Sequence, residues 1–242
     1  MSSSNPVPLT DVSAKDRYDF ILDTIRERII RLQYPPGTRI GEEELAREFG
    51  VSRTPIRRVL NRLEYEEFVE IRHGAGTYIT EIDWNDLTDA YTFRMSLAEL
   101  IGHLSPHEPQ PETVEAVCAI RERVRERGRD LTPNEYRDFN KAFHAELSKC
   151  IGNRQLRKTI DRLYLLTQRH WHAWLDHMDW DAEIDAFQWQ LDDSIRCLEI
   201  GDTRGAGLVW RNVIASMIHR LQRALEGNPV KLPAAAAFDG HG

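Results

Sequence analysis

Residues 35–64, PPGTRIGEEELAREFGVSRTPIRRVLNRLE, decide the reading of this chain. The Pro-Pro-Gly start is a turn, because proline disfavours helix in the residue before it and glycine supplies the left-handed backbone that tight turns need. A short helix is predicted over 42–49, with Leu45, Ala46 and Phe49 on its inner face and Gly50 just past its end. After one turn the chain re-enters helix. Ser52 suits an N-cap, Pro55 fits a first helical turn, and Ile56, Val59, Leu60 and Leu63 recur at helical spacing as a buried stripe. That stripe leaves Arg53, Arg57 and Arg58 on the solvent-facing arc, with Thr54 beside them. Two helices joined by a tight glycine turn form a helix-turn-helix, whose second helix reads base edges with its amino-terminal residues. Arginine pairs with guanine O6 and N7, and serine and threonine meet bases or phosphate.

The flanks agree with this unit. Upstream, residues 16–32 place Phe20, Ile21, Ile25, Ile29 and Leu32 on one stripe of a first helix. Downstream, Val69–Ile71 and Thr77–Thr80 are β-rich runs around His73-Gly74-Ala75-Gly76, a hairpin with a flexible tip. Following a helix-turn-helix, such a wing lies near the phosphate backbone or minor groove, with His73 and the Gly74 amide as its contacts.

The ordered pattern of Pro-Pro-Gly turn, LAREFGVSRTPIR, apolar helix and glycine hairpin resembles the winged helix-turn-helix of the GntR family of bacterial transcription regulators, across residues 16–80. The resemblance implies that Ser52, Arg53, Thr54 and Arg57 take the DNA-contacting positions, with Gly74 at the wing. Many members have arginine then glutamate where this chain has Arg57-Arg58, so Arg58 is an additional charge and a candidate phosphate contact.

The rest of the chain has a different character. Residues 1–80 hold 12 Lys and Arg against 13 Asp and Glu, residues 81–242 hold 20 against 26, and all six tryptophans follow residue 80. Two domains are expected: a reader over 16–82 and a second domain over 83–227, between disordered tails at 1–15 and 228–242. Helical patterns at about 84–104, 112–128, 133–151, 154–176, 181–200 and 202–226, without a convincing strand, predict a six-helix bundle, so the fold class is mainly α. Cys118, Cys150 and Cys197 are too scattered for a zinc site or disulfide framework and read as buried free thiols. No run approaches the roughly 18 apolar residues of a membrane helix, and residues 1–16 lack a secretory pattern, so a cytoplasmic protein with no membrane partner is expected.

The helical region resembles, mostly in spacing, the effector and dimerisation domain of the FadR-like subfamily, at FHAELSKCIGNRQL (143–156) and IRCLEIGDTRGA (195–206). The resemblance implies a homodimer with a small-molecule pocket, commonly for an organic acid, sometimes with a divalent metal held by one Asp and three His. Its ligand positions fall here at Asn140, His144, Leu191 and Val213. Leu and Val offer no donor and Asn is a weak neutral one, so no metal or other cofactor is expected. By the same resemblance Arg94 is a candidate partner for an anionic effector, beside Asn140 and His144. Trp171, Trp189 and Trp210, together with Trp174, are candidates for an apolar pocket wall.

The reading that follows is a ligand-responsive regulator, a repressor binding a palindromic operator in double-stranded DNA as a homodimer. Two alternatives stand beside it. The helical domain could be a dimerisation module without ligand, or a metal-dependent enzyme built on His170 and His177, seven residues apart and so on one helix face, near Asp176 and Asp179. No Ser-His-Asp order, phosphate loop or HExxH motif is present, and only about 160 residues follow the wing, so an enzyme is not expected.

Overall fold

A computed structural model describes residues 13–227. The expected tails at 1–15 and 228–242 lie outside it, except that residues 13–15 open the first helix. The described chain forms two compact units, the first running to Ile82 and including Gln168–His172, the second comprising Asp83–Thr167 and residues 173–227.

The first unit is a three-helix reader with a small sheet. Helix α1, Ala14–Ile30, is capped by Ser13, whose hydroxyl accepts from the Asp16 amide at 3.1 Å. Helices α2, Glu42–Glu48, and α3, Arg53–Tyr65, are joined through Gly50, which sits at φ +63° as the turn requires. Ile21, Ile25 and Ile29 of α1 and Ile56, Val59 and Leu63 of α3 are completely buried, as is Phe68 beyond α3. Burial of each such side chain stabilises the fold by roughly 1.5–3 kcal/mol. Two members of the expected α1 stripe are displaced from it. Phe20 is 52% exposed and only touches Phe49 edge-on, and Leu32 lies beyond the helix at φ +56°. Leu22 and Ile30 take their places in the core.

Strands β2, Val69–Arg72, and β3, Gly76–Ile79, form the expected wing, with Val69 opposite Ile79 and Arg72 opposite Gly76. A strand not foreseen, β1 (Arg39–Ile40), pairs antiparallel with β3, so the sheet order is β1-β3-β2. Two residues are too few for a period-2 pattern.

The second unit is helical throughout its named elements and carries the six expected helices: α4 (Trp84–Glu99), α5 (Pro111–Arg127), α6 (Pro133–Ser148), α7 (Arg154–Trp174, of which Gln168–His172 groups with the first unit), α8 (Trp180–Glu199) and α9 (Thr203–Gly227). Their starts carry local signals. Asp83, Thr132, Asn153 and Asp179 cap α4, α6, α7 and α8, and Thr132 forms a reciprocal capping box with Glu135. Helix α4 stops five residues short of the expected position because the chain turns through left-handed backbone at Gly102 and Ser105. Helices α4 and α9 approach closely at Gly207, where an added Cβ would stand 2.7 Å from the Ala98 carbonyl oxygen. Cys150 is buried, whereas Cys118 and Cys197 are half-buried, a partial correction to the reading of all three as core thiols.

Candidate nucleic-acid interface and effector cavity

The amino-terminal turn of α3 presents a continuous polar face. Ser52 occupies the N-cap without a side-chain hydrogen bond to the helix, and Ser52, Arg53, Thr54, Arg57 and Arg58 are all exposed while Ile56, Val59 and Leu60 point inward. The hydrophobic stripe therefore orients the basic face. At the wing, His73 and Gly74 are exposed, and Gly74 turns the hairpin at φ +76°. The arginines are not equivalent. Arg57 Nε donates to Glu42 Oε2 at 2.8 Å, Arg53 Nη1 donates to Glu43 Oε1 at 2.8 Å, and Arg53 Nε lies 3.7 Å from Glu42 Oε2. Arg58 instead rests its guanidinium over the Tyr18 ring, 5.4 Å from the centroid. Sequence reasoning missed Glu42 and Glu43, although their place in the first turn of the preceding helix was visible.

In the second unit, Arg94 is 5% exposed, and no carboxylate pairs with it among the described residues. Its Nη1 donates to the Thr167 hydroxyl at 2.5 Å, and its guanidinium lies 5.5 Å from the Tyr91 ring and 5.7 Å from the Tyr164 ring. Burial holds Arg94 below the usual arginine range, and burial pushes the Tyr91 phenol up to about 12. Arg94 borders a small hollow of about 10 Å³, room for a single water, whose other walls are Ala98, Ile160, Trp210 and Ile214. A buried cation without a carboxylate is a group that an anion would neutralise, provided the walls of this hollow move apart to admit it.

Asn140, His144 and Trp210 belong to the same neighbourhood. Tyr164 donates its hydroxyl to Asn140 Oδ1 at 3.0 Å and stacks on His144 with centroids 3.7 Å apart; His144 meets Trp210 edge-on at 5.2 Å. His144 Nε2 lies 2.8 Å from Asp161 Oδ1, and Ser148 donates to the same oxygen at 2.9 Å. Burial lowers the His144 pKa, outweighing Asp161, so the neutral ring donates Nε2–H to the carboxylate. Burial raises Asp161, but the hydrogen bonds from His144 and Ser148 prevail and hold it below its ordinary value. Asp161, Tyr164 and Thr167 were missed; their spacing of three along α7 was the signal, a polar row beside buried Ile160 and Leu163.

Trp171, Trp174 and Trp189, the other three aromatic candidates, are not among the residues that line this hollow. Trp171 is buried within the segment that clusters with the first unit, and Trp189 is 48% exposed. The reason for Trp189 is phase: it stands about 200° around α8 from buried Phe187. The His170–His177 idea also loses its premise. Helix α7 ends at Trp174, so His177 lies in a separate 3-10 turn, exposed, while His170 is buried in α7.

Residues 17–79 match the model of bacterial regulatory proteins of the gntR family, and residues 89–216 match the FCD domain. The chain belongs to the GntR family and carries an FCD domain. It is 30% identical over 139 residues to an uncharacterized HTH-type transcriptional regulator of an unstable DNA locus in Streptomyces ambofaciens, covering 56% of this chain and 57% of that protein. It is 30% identical over 133 residues to the Nta operon transcriptional regulator of Aminobacter aminovorans, covering 54% and 62%. The chain thus spans about three fifths of the length of these curated relatives. Its fold is similar to that of Escherichia coli McbR/YncC, with TM-score 0.73 at 16% identity over 88% of this chain and 98% of that one.

The metal that the resemblance to the FadR-like subfamily implies finds few donors at the positions matched to its ligands. Asn140 Oδ1 is engaged by Tyr164, Leu191 is fully buried, and Val213 has no donor atom, which leaves His144 alone.

Proposed function

We propose that this chain is a DNA-binding transcription regulator, a repressor acting as a cytoplasmic homodimer on a palindromic operator, in which α3 enters the major groove and a small organic acid binds beside Arg94. What carries the DNA reading is the exposed row Ser52, Arg53, Thr54 and Arg57 at the start of α3, fixed by the buried stripe on its opposite side and supported by family membership. What supports the effector reading is a buried guanidinium without a carboxylate beside a small apolar hollow that would have to open to take the acid, together with the FCD domain match. The anion supplies the missing countercharge and stabilises the bound state by mass action. No metal takes part; elemental analysis of purified protein is expected to find less than stoichiometric Zn, Ni or Mn, and a full equivalent would contradict this. No described helix is long and apolar enough to cross a membrane.

Selection from a randomised duplex library tests the DNA reading. Enriched sequences are expected to be two-fold symmetric with half-sites about one helical turn apart. A library that shows no enrichment after repeated rounds contradicts it.

A further inference from the structure

The candidate DNA-contacting arginines of α3 are already engaged by carboxylates of α2. Glu42 Oε2 accepts from Arg57 Nε at 2.8 Å and lies 3.7 Å from Arg53 Nε, while Glu43 Oε1 accepts from Arg53 Nη1 at 2.8 Å. All four side chains are solvent-accessible, with Arg53 and Arg57 more than half exposed and Glu43 69% exposed, so these pairs are screened and easily exchanged. Arg58, the neighbouring cation, pairs with no carboxylate among the described residues and lies against Tyr18.

We propose that Glu42 and Glu43 are specificity-determining residues, internal counterions that occupy Arg53 and Arg57 in the free protein and hold down sequence-blind binding to double-stranded DNA. This rests on the reading of α3 as the DNA-facing helix. A phosphate offers each arginine only what the carboxylate already offers, one anionic partner in water. Exchange between them therefore gains little, and the displaced carboxylates are left repelling the DNA backbone. A guanine edge gives an arginine two directed hydrogen bonds, so exchange is favoured there and the carboxylates widen the gap between correct and incorrect sites. A reader with formal near-neutrality over residues 1–80 is consistent with weak non-specific attraction.

The test uses the full chain and a fluorescently labelled random-sequence duplex of about 30 base pairs, titrated from 50 to 200 mM salt. Glu42→Gln combined with Glu43→Gln is expected to tighten binding about fivefold or more at the low-salt end and to steepen the salt dependence by about one to two released ions. Because Glu42 is partly buried, Glu43→Gln alone serves as the variant whose folding is not in question, with a smaller gain in the same direction. Arg53→Ala with Arg57→Ala separates the two levels of interpretation. If that variant weakens binding while the glutamate variants do not tighten it, the counterion role is overturned and the DNA face stands. If wild type and arginine variant bind the duplex equally, α3 is not the DNA face and both fall.

Discussion

Arg94 Nη1 donates to Thr167 Oγ1 at 2.5 Å, and Thr167 in turn donates its own proton to the Leu163 and Tyr164 carbonyls at 2.8 and 3.0 Å. The hydroxyl is thus oriented by its own helix to leave a lone pair for the buried cation. Thr167→Val keeps the shape and removes that acceptor. It is expected to destabilise the chain by about 2 kcal/mol, because a buried charged donor loses its partner. Urea denaturation checks this, and a midpoint matching wild type would count against it.

Replacing the cation itself gives a different outcome. Arg94→Met substitutes an apolar chain of similar length for a buried charge without a carboxylate, so the unliganded protein is expected to be as stable as wild type or more so. A thermal-shift screen with short aliphatic and aromatic carboxylates is expected to raise the melting temperature of wild type for at least one acid and to leave Arg94→Met unmoved. If Arg94→Met is strongly destabilised and wild type is flat across the panel, Arg94 is a structural residue and the effector reading fails.

The His144–Asp161 pair sets a pH dependence. Burial holds the His144 folded-state pKa below its unfolded value, so as pH falls through the ordinary histidine range the unfolded chain takes up the proton first. Stability is therefore lost on acidification from about pH 7 to pH 5. Asp161, held low, adds stability above the usual carboxylate range that is lost only at still lower pH. Denaturation midpoints across this range should fall for wild type and fall less for His144→Gln. Parallel profiles would place the dependence on other histidines.

Arg58 rests on Tyr18, and we propose it as a phosphate contact rather than a base reader. Arg58→Ala is expected to weaken DNA binding evenly across sequences and to reduce the salt slope by about one. A changed base preference in a selection experiment would instead make Arg58 a base-reading residue.

The fold was legible where local chemistry repeats or punctuates. Ser52 before α3, Gly50 after α2, and the Ile56–Leu63 stripe each mark an element from a few adjacent residues. What escaped was set by tertiary contact. Strand β1 exists because Arg39 and Ile40 lie beside Tyr78 and Thr77, and α4 is short because Gly102 and Ser105 adopt left-handed backbone. Around Arg94, resemblance and composition point to Arg94, Asn140, His144 and Trp210, whereas Thr167, Tyr164 and Asp161 hold the first three in place from a fourth helix, α7. Trp189 shows the reverse error, since a large aromatic residue was taken as pocket wall although its phase on α8 turns it outward.

The central claim is that the start of α3 reads base sequence, and Arg57→Ala tests it most directly. Fluorescence anisotropy on a library-selected duplex and its scrambled counterpart at 150 mM salt is predicted to show about a tenfold or greater loss on the selected site, with relaxed preference at one base pair per half-site. Affinity and preference equal to wild type would contradict the account.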